Sequence, residues 1–376
     1  MVDDLVRGFA RDEYAPVRAA FAGNLAKGVD HGAAVCVTAG GETVVDLWGG
    51  FADVAGVRPW QRDTIINVYS TTKTVTALVA LLLADRGELD FDAPVATYWP
   101  EFAAGGKHGV KVRHLMSHSA GLPAWREPMR TEDLYDWAKA TTLLAAQTPD
   151  WEPGTACGYH GLTQGYLVGE VVRRITGRSV GTVLRDELAL PLHADFHIGL
   201  PASAEARVAE LVAPPDGPPP ELAVTDLQRR VGTNPGPEVA EVNSHAWRAA
   251  EIPAVGGTGN ARSVARLHTV LANGGVAGGR RFLSEAGCRR ALDLQIEGRD
   301  LVLGMTVRYG MGFALGNQLM PNPGTVYWGG YGGSLTIVDL DARMTFCYVP
   351  NKMAGVVADL RGFELAMTAW AAAGVW

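Results

Sequence analysis

Strand-like segments lie near both ends of this chain, and the segment between them has mostly helical patterns. Two early apolar runs, at 33–38 and 42–49, flank Gly40-Gly41, which is typical of a β-hairpin. Later strand-like runs occur at 302–309, 312–315, 326–328, 334–339 and 344–350. Strands that return after a long helical stretch most simply pair with the first ones. The sequence therefore predicts an α+β fold with one antiparallel sheet built from both chain ends.

A long apolar helix is predicted at 68–86. It begins with Ser and Thr residues, continues as TALVALLLAD and stops at Gly87. Because it is apolar nearly all round, we expect it to be buried. Further helices are predicted at 12–28, 261–273, 284–295 and 354–373. Together these patterns predict a discontinuous sheet domain, 1–66 and 255–376, and a mostly helical domain, 67–254, with a Pro-rich loop near 213–238.

Composition narrows the class of protein. The formal net charge is -7 and no basic stripe is present, so no nucleic-acid partner is expected. The first residues include acids and no signal-like apolar region, and the longest apolar run is too short to cross a bilayer. We therefore expect a cytoplasmic protein with no membrane partner. The four cysteines are far apart, lack metal-binding spacing and are expected to be reduced and mostly buried: Cys36, Cys157, Cys288 and Cys347.

Ser70 and Lys73 are the clearest candidates for catalytic residues. Positions i and i+3 share one face of a helix, so the Ser70 hydroxyl and the Lys73 amine can meet. A serine hydroxyl is a weak nucleophile that needs an adjacent base. A buried lysine can be that base, because burial lowers its pKa. The same spacing also arises by chance, so these residues alone leave a structural role open.

Three other patterns carry weaker hypotheses. Ser179 lies in a G-x-S-x-G sequence, but that nucleophile motif needs a preceding strand, and a helical pattern precedes it here. We interpret Gly177 as the end of that helix and Ser179 as the N-cap of the next. His114 and His118 lack an HExxH glutamate, which favours structural hydrogen bonding over a metal site. Glycine-rich segments at 254–259 and 274–279 lack a Walker lysine, so no nucleotide cofactor is predicted.

Residues 69–73, YSTTK, resemble the first motif of serine β-lactamases, DD-peptidases and their related esterases. Other segments resemble that superfamily in the same order: 86–95 (RGELDFDAPV), 112–123 (VRHLMSHSAGLP), 153–159 (PGTACGY) and 328–330 (WGG). These matches extend over residues 60–335. The resemblance implies a serine β-lactamase/DD-peptidase-like fold.

By position, the resemblance implies roles for three residues. Ser70 would be the nucleophile. Lys73 would be the general base, or would lower the pKa of a tyrosine. Tyr159 would be the second proton shuttle. The family's Y-x-N asparagine is absent from the sequence Tyr159-His160-Gly161, which puts its role in holding Lys73 in doubt.

The third motif of the family usually carries Lys or His, but here it is Trp328-Gly329-Gly330. A tryptophan cannot pair with the carboxylate of a β-lactam, and the WGG pattern resembles the β-lactamase-like (family VIII) carboxylesterases. The two glycines would let an acyl group lie close to the strand backbone. By family analogy, the N–H groups of Ser70 and Tyr331 would form the oxyanion hole.

The expected function is hydrolysis of a small-molecule carboxylic ester through an acyl-enzyme on Ser70, without a metal or cofactor. Trp125, Trp247 and Trp328 are candidates for the pocket wall, although the first two could serve only in packing. Three alternatives stay open: an acyltransferase on the same fold, a β-lactamase or DD-peptidase, and a non-catalytic binding protein.

Overall fold

The computed structural model describes residues 6–214, 225–317, 320, 322–354 and 359–375. Its strands are β1 (Val6–Ala10), β2 (Gly32–Ala39), β3 (Glu42–Gly50), β4 (Ile66–Asn67), β5 (Phe196–Ile198), β6 (Gly257–Gly259), β7 (Val276–Ala277), β8 (Arg280–Arg281), β9 (Ile296–Arg299), β10 (Thr306–Tyr309), β11 (Ala314–Leu315), β12 (Thr325–Gly329), β13 (Leu335–Asp339) and β14 (Met344–Pro350).

The α-helices are α1 (Ala15–Ala26), α2 (Thr72–Asp85), α3 (Val112–Met116), α4 (Trp137–Ala146), α5 (Thr163–Thr176), α6 (Val180–Leu184), α7 (Asp226–Thr233), α8 (Val239–Val242), α9 (His245–Ala249), α10 (Ala261–Ala272), α11 (Glu285–Arg289) and α12 (Arg361–Ala372). Short 3₁₀ turns lie at Asp12–Tyr14, Tyr69–Thr71, Val95–Thr97, Pro100–Ala103, Thr131–Tyr135, Ala202–Arg207 and Arg290–Leu292, and a π-helical turn at Arg185–Ala189.

The main sheet joins both ends of the chain, as predicted. In the described residues it has nine antiparallel strands in the order β1-β3-β2-β14-β13-β12-β11-β10-β9. At its centre, β14 pairs with β2 from Met344 opposite Ala39 to Pro350 opposite Ala33. The hairpin predicted around Gly40-Gly41 is β2–β3. The α+β fold with one sheet built from both chain ends is therefore confirmed.

Side chains alternate along β14 between two apolar layers, one on each face of the sheet. Phe346 and Tyr348 belong to a cluster that includes residues of α1 and α12. Cys347 and Val349 belong to a larger cluster that includes α2, α5 and α10. All four cysteines are buried and free of disulfide bonds, as expected. The sheet is thus covered by two helices on one face and by the helical region on the other.

Helix α2 is the central element of the larger layer. Every residue from Thr72 to Leu83 is buried, which matches the expectation from its apolar sequence. A small sheet of order β4-β6-β5 lies beside its N-terminus, and the Val68 amide donates to Gly257 O at 2.9 Å. The start of α2 is consequently held between this small sheet and the main sheet.

Several boundaries differ from the sequence prediction. The helix predicted at 284–295 is shorter: α11 ends at Arg289, a 3₁₀ turn follows, and β9 begins at Ile296. Residues 302–304 form a turn, so the strand predicted at 302–309 begins only at Thr306.

The Pro-rich loop prediction near 213–238 is wrong for the part that forms α7. Thr225 caps this helix by accepting from the Gln228 amide, and the helix stops just before Asn234-Pro235, where proline disfavours its continuation. Residues 215–224 of the predicted loop, and residues 355–358 of the helix predicted at 354–373, lie outside the described residues. Residues 359–360 are described and not helical, so that helix begins only at Arg361. The division into domains at residues 66/67 and 254/255 stays a prediction. Within the described ranges, no helix has both the length and the hydropathy needed to cross a membrane.

Candidate active site

The turn that carries Ser70 is fixed by neighbouring polar groups. Ser70 lies in the 3₁₀ turn Tyr69–Thr71, directly before α2. Tyr69 has φ of 45°, in the left-handed region that non-glycine residues rarely adopt. Its amide donates to Asn67 Oδ1 at 2.9 Å, and its carbonyl accepts from Thr72 Oγ1 at 2.5 Å. The strained backbone before Ser70 is therefore stabilised from both sides, as is common at functional sites.

Two polar side chains, those of Tyr159 and Lys73, meet at Ser70. The Tyr159 hydroxyl donates to Ser70 Oγ at 2.6 Å, and Lys73 Nζ lies 3.3 Å from the same oxygen. Lys73 Nζ also lies 4.8 Å from the centre of the Tyr159 ring. Ser70 is 8% exposed and Lys73 is 3% exposed, so the cluster is largely removed from water. The structure thus brings together the three residues predicted from the sequence, in an arrangement that can activate a serine hydroxyl.

Two backbone carbonyls hold the Lys73 amine. Its Nζ donates to Gly161 O at 2.6 Å and to Ala254 O at 3.0 Å. Burial lowers the pKa of Lys73 well below its usual value. A neutral amine has two N–H bonds and one lone pair. With both N–H bonds directed at carbonyls, the lone pair is left for Ser70.

The pKa of Tyr159 is shifted in the opposite direction from that of Lys73. Burial raises the pKa of Tyr159 to about 12, although its hydrogen bonds with Ser70 and Trp328 act to lower the pKa. The Trp328 indole N–H lies 3.4 Å from the Tyr159 hydroxyl oxygen and can donate to it. Tyr159 is therefore protonated at neutral pH and can relay a proton, while Lys73 is the better initial acceptor.

His160 does not replace the missing family asparagine at Lys73. Its Nε2 accepts from the Leu122 amide at 3.0 Å, and its Nδ1 is 2.6 Å from Gly158 O. Burial lowers the pKa of His160 to about 3. The residue at the asparagine position, Gly161, instead contacts Lys73 through its backbone carbonyl. The sequence could not reveal this contact or that of Ala254, because any residue offers a carbonyl.

The segment Trp328–Tyr331 lies against the Ser70 turn. Trp328 contacts Tyr159, with ring centres 5.2 Å apart. A Cβ on Gly330 would lie 2.3 Å from Val68 O and 2.4 Å from Ser334 Oγ, whereas a Cβ on Gly329 would be no nearer than 3.3 Å to its neighbours. The absence of a side chain at Gly330 is thus needed for close packing within the protein.

Tyr331 lies beside Tyr69, and the two rings meet edge to face at 5.8 Å. The amides of Ser70 and Tyr331 donate to no other described residue. Two free backbone donors on adjoining turns are the groups that an oxyanion hole requires.

The other candidates lie away from this cluster. Trp125 and Trp247 are fully buried in the larger apolar layer, which agrees with the alternative that they serve only in packing and not as pocket wall. Gly177 ends α5 in the left-handed conformation, and Ser179 caps α6 by accepting from the Thr182 amide, both as interpreted from the sequence. The Ser179 hydroxyl also donates to Glu251 Oε1 at 2.6 Å.

Known proteins are similar to this chain in sequence and fold. A model of the β-lactamase family matches residues 17–367. Esterase/β-lactamase LipL of Mycobacterium tuberculosis is 37% identical over 95% of this chain and 86% of its own length. A solved family VIII carboxylesterase is 42% identical with a TM-score of 0.93, covering 98% of this chain and 99% of that chain. A penicillin-binding protein homologue from Caulobacter crescentus is 37% identical with the same TM-score and coverage. This chain therefore belongs to the β-lactamase family.

Proposed function

We propose that this protein hydrolyses carboxylic esters through an acyl-enzyme on Ser70. The observation that carries the proposal is the contact of Ser70 Oγ with the Tyr159 hydroxyl at 2.6 Å and with Lys73 Nζ at 3.3 Å. Lys73 is held by two carbonyls and has a lowered pKa, so it can accept the serine proton. Tyr159 keeps its proton and can pass it on.

Acylation begins when Ser70 Oγ bonds to the ester carbonyl carbon and its proton moves to Lys73. The carbonyl oxygen becomes an oxyanion near the free amides of Ser70 and Tyr331. The bond to the alcohol oxygen then breaks, and that oxygen takes a proton from Tyr159, which is reprotonated from Lys73. The products of this stage are the free alcohol and the acyl-enzyme.

Deacylation repeats the same transfers with water. Water bonds to the acyl carbon and gives a proton to the Tyr159/Lys73 pair. The bond from the carbon to Ser70 Oγ breaks, and the serine recovers its proton. The protein side chains supply each proton transfer in this scheme.

Trp328 supports an ester over a β-lactam as the substrate. Its indole reaches Tyr159 at the position where the family's third motif usually carries Lys or His, and it offers no cation for a substrate carboxylate. β-Lactam hydrolysis is the second candidate, because the relative LipL is named as both an esterase and a β-lactamase. Acyl transfer to an alcohol would use the same acyl-enzyme.

The first test compares wild type with Ser70→Ala and with Ser179→Ala, which removes the other motif serine. Each protein is mixed briefly with p-nitrophenyl butyrate or a β-lactam, and its intact mass and product release are measured. We expect an acyl adduct on Ser70 and catalytic ester turnover in wild type and Ser179→Ala, and neither in Ser70→Ala. Ester turnover that survives Ser70→Ala contradicts the proposal, and an adduct with the β-lactam alone favours the second candidate. Added alcohols then separate hydrolysis from acyl transfer.

A further inference from the structure

Three consecutive backbone amides around Tyr159 are held by only two residues. The Gly158 amide donates to His118 O at 3.0 Å, and the His160 amide donates to His118 Nδ1 at 3.1 Å. Between them, the Tyr159 amide donates to Asp300 Oδ1 at 3.0 Å. No part of this contact set belongs to the Ser70–Lys73 pair.

Asp300 is itself fixed in place. It is fully buried, and its Oδ1 also accepts from the Val302 and Leu303 amides, both at 2.8 Å. Its Oδ2 accepts from the Tyr309 hydroxyl at 2.9 Å. A carboxylate with four donors has little freedom to move, so the Tyr159 amide has a rigid acceptor.

His118 is equally constrained. It is 3% exposed and has φ of 58°. Burial, with the nearby His160 and Lys73, lowers its pKa well below the usual value, which leaves Nδ1 free to accept a hydrogen bond. Its ring packs edge to face against Tyr159 at 4.9 Å and Tyr309 at 4.8 Å.

We propose that Asp300 and His118 are positioning residues that place the Tyr159 hydroxyl for proton delivery to the leaving alcohol. This inference rests on the proposed function. The Tyr159 hydroxyl is 2.6 Å from Ser70 Oγ, and a ring with only two side-chain torsions keeps that distance only if its backbone is fixed. Asp300 and His118 supply that fixation on both sides of the residue.

Leaving-group dependence separates positioning from a merely structural role. An alkoxide needs a proton as its bond to carbon breaks, whereas p-nitrophenolate departs without one. Ethyl butyrate and p-nitrophenyl butyrate share the acyl group and differ in this need. We expect Asp300→Ala and His118→Ala to lower kcat/KM for ethyl butyrate by about 100-fold, with a much smaller loss for p-nitrophenyl butyrate.

Conservative variants are expected to restore the activity. Asp300→Asn keeps an acceptor for the three amides, and its amide group can donate to the Tyr309 hydroxyl oxygen. His118→Asn keeps an acceptor near the position of Nδ1 and tolerates a positive φ. Both are expected to regain most of the activity on ethyl butyrate. If Asp300→Ala does not fold, Tyr309→Phe, which removes one donor to Asp300, replaces it. This variant is expected to lower the ratio of kcat/KM for ethyl butyrate to kcat/KM for p-nitrophenyl butyrate, but by less.

Asp339→Ala and Tyr159→Phe are the controls for this comparison of the two esters. Asp339 is also a fully buried carboxylate that accepts from two backbone amides, at the far end of β13, so Asp339→Ala is expected to lower stability without changing the ratio of the two esters. Tyr159→Phe is expected to lose far more activity on ethyl butyrate than on p-nitrophenyl butyrate. If it does not, the role of Tyr159 in the proposed function fails. If it does, but the Asp300 and His118 variants lower both esters equally, only the positioning inference is overturned.

Discussion

At the residue scale, the proposed role of Lys73 as the base for Ser70 depends on its protonation state. The Nζ atom has carbonyl acceptors at 2.6 and 3.0 Å, and the structure describes no carboxylate paired with it. Without a counter-charge, burial favours the neutral amine. The lowered pKa therefore favours the neutral form of Lys73 that its proposed role as a base requires.

This state has a consequence for stability that can be measured. Because the folded pKa of Lys73 is lowered, the unfolded chain binds more protons between that pKa and the ordinary value of 10.5. Stability is therefore expected to rise with pH across this window, by at most about 1.4 kcal/mol per pH unit. Lys73→Met lacks this contribution. Denaturant unfolding of both proteins at several pH values tests it, and parallel curves would contradict a lowered pKa.

The same state predicts how activity depends on pH. Protonated Lys73 cannot accept the Ser70 proton, so kcat/KM for p-nitrophenyl butyrate is expected to fall as the pH drops through the pKa of Lys73. A rate profile that stays flat to acid pH, where Lys73 must be charged, would remove Lys73 as the base.

The proximity of Ser70 and Lys73 was predictable because helix geometry brings positions i and i+3 together. The contact with Tyr159 followed only from the ordered family motifs, since 89 residues separate it from Ser70. Gly161 and Ala254 could not be found, because their carbonyls have no side-chain signature. Asp300 could not be found either, since an isolated aspartate in a polar turn is usually exposed.

At the element scale, the approach of β12 to the Ser70 turn depends on Gly330. Ser334 Oγ donates to Val68 O at 2.7 Å and lies 2.9 Å from Thr71 Oγ1, which joins the strand pair β12–β13 to the turn. A side chain at 330 would enter this junction. The position of the Tyr331 amide relative to Ser70 depends on the same packing.

Gly330→Ala is therefore expected to displace the Tyr331 amide and to lower kcat by about 100-fold or more, the usual effect of losing one oxyanion donor. Gly329→Ala, one residue away and with more space, is expected to cause a smaller loss. Kinetics on p-nitrophenyl butyrate and the melting temperature of both variants test this. Equal losses in the two variants would contradict a specific role for position 330.

Elements with a strong apolar pattern were the ones predicted well. Helix α2 and strand β14 are buried along most of their length, and both were found. The edge strands β1 and β9 were missed, because most of their residues are exposed or half-buried and the hydrophobic pattern is weak. Gly8 in β1 has φ of 94°, and a Cβ there would lie 2.0 Å from Asp46 O, which only the paired strand reveals.

At the scale of the whole molecule, the two apolar layers serve different purposes. The layer with α2 contains the active-site elements, whereas the layer with α1 and α12 lies on the opposite face of the sheet. Trp370 of α12 is fully buried there, and its indole N–H donates to Asp339 Oδ2 at 2.8 Å. We therefore expect a substitution in the layer of α1 and α12 to change stability without changing the chemistry at Ser70.

Trp370→Ala is expected to destabilise the protein by about 3–5 kcal/mol, the usual cost of truncating a buried tryptophan. Because the change lies across the sheet from Ser70, the turnover of each folded molecule is expected to stay the same. Denaturant unfolding combined with titration of Ser70 by a fluorophosphonate checks both parts. A fall in kcat per titrated site would show that the two faces are coupled.

The pairing of β14 with β2 also limits how early the sheet can form while the chain is being synthesised. The Gly32 amide donates to the Asn351 side chain, 319 residues later in the sequence, and Val68 O accepts from the Ser334 hydroxyl, 266 residues later. A chain emerging from the ribosome at about 5–20 residues per second must therefore leave its first strands without this partner until residues 344–350 have been made. Because such distant contacts close late, Ser70 is made well before the segment around Tyr331 with which it would form the proposed oxyanion hole. Ester turnover in a translation reaction is accordingly expected to begin only after residues 344–351 have been made and have left the ribosome.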